Sequence, residues 1–175
     1  FFDETIASLE HRIQMDPNVE TILSKKKLAD VLFHYLDENA IMVLNKLVFI
    51  FETEESPSLV REQLEEDYCD EYARYISEDM LGTTWVEHQI AIINVSNILR
   101  EASEIIEDEE DWMPLGYKFM EGVLQTIYHE CRHLFYECNE IIPRGEGTIY
   151  PKDGETEEQV EMYGNRKASR YFNPF

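Results

Sequence analysis

The sequence predicts an α+β fold, mostly helical, with a small β-sheet packed beside one long helix. Three observations predict it. Most of the chain carries apolar residues at i, i+3, i+4 and i+7 spacing, the stripe of a half-buried helix. The stretch Thr84 to Val95 breaks that period with Trp85, Val86, Ile90, Ile92, Ile93 and Val95, a β-branched and aromatic content that suits one or two strands. After it, residues 114 to 140 restore the helical stripe over some seven turns.

Taken in order, Asp3 can cap a short helix carrying Ile6, Leu9 and Ile13, ended by Asp16-Pro17. Ser24 can cap a second, with Leu28, Val31, Leu32, Tyr35 and Leu36 on one face. The apolar run Ile41 to Phe51 suits either a buried helix or a buried strand; the helical reading is preferred. Ser56-Pro57 starts a helix expected to reach about Met80, with Leu64, Tyr68, Tyr72 and Ile76 at helical spacing, and Leu81-Gly82-Thr83 ends it. Ser96 or Asn97 can cap a helix bearing Ile98, Leu99, Ala102, Ile105 and Ile106. Met113-Pro114 opens the long helix and Ile141-Ile142-Pro143 stops it. Residues 143 to 155 read as a loop. Thr156-Glu157-Glu158-Gln159 is a capping-box sequence for a last helix to about Phe172. The one candidate boundary falls near Gly82. It separates a helical region, residues 1–82, from a mixed region, residues 83–175, within what is expected to be one compact unit.

Composition narrows the function. Asp plus Glu number 37 against 15 Lys plus Arg, a net charge of −22. Such a surface repels nucleic acid and anionic membranes and favours basic or neutral partners. The 43% hydrophobic content is enough for a sizeable core. No apolar run reaches the ~18 residues needed to span a bilayer. Cys69, Cys131 and Cys138 are odd in number and lack paired spacing. They read as unbonded thiols of a reducing compartment, the cytoplasm.

The chemistry concentrates in Tyr128-His129-Glu130-Cys131-Arg132-His133, a His-Glu-x-x-His pattern. Residues four apart on a helix lie one above the other, so His129 and His133 can reach one ion. Glu130 lies to one side, where it can take a proton from a water held by the metal. Zinc suits two imidazoles and a carboxylate with one position open. With five His and 27 Glu in 175 residues, chance yields the pattern in roughly 2% of such chains, so coincidence is a poor account of it. The helical wheel adds context. Met120, Leu124, Ile127, Cys131, Leu134 and Cys138 share one face, and the two histidines lie opposite with Gly122 and Thr126. The opposing account is a solvated polar stripe that happens to hold two histidines.

A third ligand is sought on the last helix. Glu161 lies at the margin of the stripe Val160, Gly164, Ala168 and Tyr171, and Asn165 is one turn further on the same face. Asn165 there can orient a ligand histidine by a hydrogen bond. Glu158, one turn earlier, is the reserve ligand.

His129-Glu130-x-x-His133 followed by Glu161-x-x-Gly164-Asn165 resembles the gluzincin metallopeptidases, and most closely the minimal bacterial ones of the ImmA/IrrE type. The likeness covers about residues 84 to 172, with Gly164 where Ala is usual and Lys167 where an aromatic is common. It implies a zincin-like arrangement with Zn2+ as cofactor and Glu161 as third ligand. It implies Asn165 as the companion of the ligands. It also implies an edge strand before the long helix that binds an extended peptide, for which His88 to Val95 is the candidate. The expected function is zinc-dependent hydrolysis of a peptide or protein substrate, with Glu130 as general base. Two alternatives stand beside it: a non-enzymatic acidic interaction module, and a zinc-binding domain without turnover.

Overall fold

A computed structural model describes residues 5–35, 43–68, 79–109, 115–141 and Asn165. The fold is α+β, with a small mixed four-stranded sheet among helices. Helix α1 (Ile6–His11) leads into strand β1 (Ile13–Met15), the short helix α2 (Pro17–Glu20) and helix α3 (Lys25–Tyr35). Strand β2 (Lys46–Ile50), helix α4 (Leu59–Tyr68), and strands β3 (Gly82–Trp85) and β4 (Ile90–Asn94) follow. Helices α5 (Val95–Glu109) and α6 (Leu115–Ile141) complete the described elements.

The sheet order is β1-β2-β4-β3. The β1–β2 and β2–β4 pairs are parallel, and β3 lies antiparallel on β4 with Gly82 opposite Ile93 and Trp85 opposite Ile90. Parallel strands with both faces covered read as continuous apolar runs. That explains Leu47-Val48-Phe49-Ile50, all fully buried. Leu47 and Phe49 join Ala91 and Ile93 in the larger core under α1, α3, α5 and α6. Val48 and Ile50 join Ile90, Ile92 and Trp85 in a smaller core closed by Val60 and Leu64 of α4.

Several expectations are corrected here. Within the run Ile41 to Phe51, Lys46–Ile50 is a strand and not helix, because a buried central strand needs no alternation. The first helix stops at His11, and Ile13 enters β1. Its described cap is Thr5, whose hydroxyl accepts from Ser8 N at 3.1 Å, while Asp3 lies outside the described residues. Residues 1–82 are therefore not simply helical: they supply β1, β2 and the start of β3, so a cut near Gly82 would divide the sheet. Helix α5 is capped by Asn94, whose side-chain oxygen accepts from Asn97 N at 3.1 Å, rather than by Ser96 or Asn97.

The cap expected at Ser24 holds: it accepts from Lys27 N at 3.3 Å at the head of α3. The helix start expected at Ser56-Pro57 does not hold: the cap is Ser58, which accepts from Arg61 N at 3.0 Å as α4 begins at Leu59. The expected continuation of α4 falls on residues 69–78, outside the described residues. The loop at 143–155 and the last helix lie outside them too, apart from Asn165, which is helical.

The buried Asp16 joins these parts. Its carboxylate accepts from Phe51 N at 2.7 Å, Ser58 Oγ at 2.6 Å and Val60 N at 3.0 Å. It thus ties the end of β1 to the end of β2 and the first turn of α4. Three donors on one carboxylate satisfy the rule that a buried charge must be fully hydrogen-bonded. Among the described residues no helix is long and apolar enough to cross a membrane.

Candidate metal centre

Helix α6 carries the site, and its two faces divide as its sequence predicts. Phe119, Val123, Leu124, Ile127, Cys131, Leu134 and Phe135 are buried in the larger core. That anchoring fixes the rotation of the helix, and so fixes where His129 and His133 emerge.

The two imidazoles converge. His129 Nε2 and His133 Nε2 lie 3.1 Å apart, and the rings meet edge to face with centroids 4.8 Å apart. Two nitrogens bound to one tetrahedral zinc at ~2.0–2.1 Å each would stand about 3.3 Å apart. The pair is therefore already close to the spacing that a shared ion requires, with matching nitrogens facing each other. The same 3.1 Å separation also suits an N–H···N hydrogen bond between the two neutral imidazoles, one donating and the other accepting. Among the described residues no group of three His, Cys, Asp or Glu side chains converges. Glu161 and the reserve Glu158 both lie outside the described residues.

Glu130 is buried to 7% exposure between α6 and the start of β3. Its charge acts on the neighbouring thiol. Burial first, and the Glu130 carboxylate second, push the Cys131 thiol up to about 12. Cys131 is a free, fully buried cysteine on the core face. A Cys131–Cys138 disulfide is excluded by α6 itself. Seven residues of helix span about 10.5 Å, whereas bridged α-carbons lie about 4.4–6.8 Å apart.

The thiol yields a prediction in two parts. Cys131 in the folded protein should resist iodoacetamide at pH 8 and react at once in denaturant, as followed by mass spectrometry. Its folded pKa is raised above the unfolded value near 9, so its stabilising effect is whole below pH 9. That effect drains away as the pH climbs towards about 12. Cys131→Ala should flatten this alkaline loss in a pH series of denaturation midpoints. An equal alkaline loss in both proteins would remove the thiol as its source.

A cleft of about 420 Å3 opens beside His129. Ile98, Ala102 and Ile105 of α5 form one wall, and Gly122, Gln125, Thr126, His129 and Glu130 of α6 another. Leu81 and Gly82 close one end, and Asn165 faces the same space. The small residues expected opposite the core do border a cleft. Gly122 has a second reason to be small: a Cβ there would meet Ile98 Cγ2 at 2.9 Å, so glycine lets α5 and α6 approach. Asn165 was found by its spacing from Glu161. Gly82, Glu101 and Glu121 in the lining were not, since nothing in their neighbourhood repeats a motif.

The edge strand needs correction. The candidate His88 to Val95 contains β4, which is paired on both sides, to β2 and β3. The sheet's edges are β1 and β3, and of these β3 is the one that packs on α6. The error came from strand content alone, which marks a strand without placing it in the sheet.

Of the other histidines, His11 and His34 are exposed, and His88 packs at a tilt against Tyr68 with centroids 4.6 Å apart. Set against family models, curated proteins and solved structures, the chain matches none of the three.

Proposed function

We propose that this chain is a gluzincin-type, zinc-dependent peptide hydrolase with a zincin-like site, in which His129, His133 and Glu161 hold the metal. The observation that carries the reading is the 3.1 Å approach of His129 Nε2 and His133 Nε2, with His129 and the buried Glu130 lining one cleft. Zinc held there would supply Lewis acidity, making a water easier to deprotonate and a carbonyl easier to attack.

The chain's own groups do the rest. Glu130 takes a proton from the attacking water as its oxygen bonds to the scissile carbonyl carbon. It then passes that proton to the leaving nitrogen as the carbon–nitrogen bond breaks. The apolar wall of Ile98, Ala102 and Ile105 excludes water from one side of the cleft. Asn165 borders the same space, and its amide suits a hydrogen bond to a ligand histidine. The edge strand β3 offers backbone groups to an extended peptide, as strand addition does elsewhere. The charge of −22 favours a basic protein substrate, and the free buried Cys131 suits the cytoplasm.

Metal analysis and a metal-loaded crystal structure test the assignment together. About one zinc per chain is expected, with a Glu161 carboxylate oxygen within about 2.0–2.2 Å of it. Glu158 in that place would shift the alignment by one turn. Neither residue near the metal would end the gluzincin assignment. Protein that takes up no zinc would instead favour an acidic interaction module, the reading that the charge alone supports.

A further inference from the structure

Gly82 opens the edge strand β3 with its α-carbon pressed against α6. A Cβ at this position would lie 2.7 Å from Thr126 Cγ2, 2.9 Å from Glu130 Cγ and 3.0 Å from the Ile92 carbonyl oxygen. Carbon atoms rest at about 3.5–4.0 Å, so the two carbon contacts are too short, and the contact with the carbonyl oxygen is tight. The backbone of Gly82 is ordinary paired strand, so glycine is needed here for space and not for its conformational range.

None of the three neighbours can retreat freely. The Thr126 hydroxyl is held by Gly122 O at 2.8 Å, which fixes its methyl. Ile92 O belongs to the interior strand β4. Glu130 is the most adjustable of the three, and it is buried between α6 and β3.

We propose that Gly82 is a positioning residue for Glu130: its missing side chain sets how closely the carboxylate's stem docks on the sheet edge, and so where Glu130 stands beside His129 and His133. This rests on the reading of Glu130 as the general base. Gly82 touches neither histidine in the contacts that define its space, so a change there acts on proton transfer and spares metal binding.

The test compares wild type, Gly82→Ala, Glu130→Ala and the double variant. Zinc content, melting temperature and, for the two proteins that keep Glu130, kcat and KM are measured. The substrate is a peptide that wild type cleaves, selected from a proteome-derived peptide library. Gly82→Ala should hold zinc as wild type does and keep KM within about twofold, while kcat falls about tenfold or more, as small misplacements of reacting groups do. Its melting temperature should drop, and by less in the Glu130→Ala background, where the Cγ that the added methyl would strike is gone. An unchanged kcat in zinc-loaded Gly82→Ala would overturn the proposal, as would an equal drop in melting temperature in both backgrounds. Failure of the underlying reading looks different: the wild type itself would hold no zinc and cleave nothing.

Discussion

Replacing either His129 or His133 by alanine is expected to lower zinc affinity by at least about 100-fold. Loss of a group that merely orients a ligand costs about 10–100-fold, and loss of the ligand itself costs more. The fold should survive. Both side chains are only partly buried, and alanine is the best helix former for the middle of α6. Metal analysis after dialysis, with competition against a chromogenic chelator, reads the effect directly. Full zinc retention in both variants would dismiss the site. Loss in only one would mean that the 3.1 Å approach of the rings is a side-chain contact and not a shared coordination sphere.

Changing Glu130 to glutamine should separate binding from chemistry. The amide keeps the shape and one accepting oxygen but cannot take up a proton at neutral pH. Zinc should stay bound at wild-type stoichiometry. Hydrolysis should fall by about 10²-fold or more, the scale of a lost general base. The two proteins are compared at equal zinc content on the same peptide. Equal turnover would remove Glu130 from the mechanism. Loss of zinc would mean that the carboxylate supports the metal site, and the division of roles would have to be redrawn. Since Glu130 also raises the Cys131 pKa, the variant should make that thiol slightly easier to ionise.

The helices were legible because their signals are local. Ser24 stands where a cap belongs, the start of α4 lies within two residues of Ser56-Pro57, and α6 buries the apolar stripe that its spacing draws. The histidine pair was legible for the same reason: four residues on one helix fix both side chains on one face. What failed depends on partners far away in the chain. Ile13 to Met15 is a strand only because Leu47 to Phe49 lies beside it. Leu47 to Ile50 alternates with nothing because both of its faces are covered. Gly82 read as punctuation after a helix, and its role emerges only with Thr126 and Glu130 packed against it. The buried Asp16 was invisible for the same reason, since two of its donors are backbone groups more than thirty residues away.

The sheet order also governs how the protein can be handled. Strand β4 runs Ile90-Ala91-Ile92-Ile93, fully buried, with β2 on one side and β3 on the other. A fragment beginning at residue 83 would keep α6 and its histidines but lose β2. It would then present a row of unpaired amides along a strand with almost no polar side chains, the profile of a segment that recruits copies of itself. Such a fragment would aggregate before it could bind metal, and its failure would say nothing about the histidines. Strand β2 thus acts as a gatekeeper against self-association for the strand beneath the histidine pair.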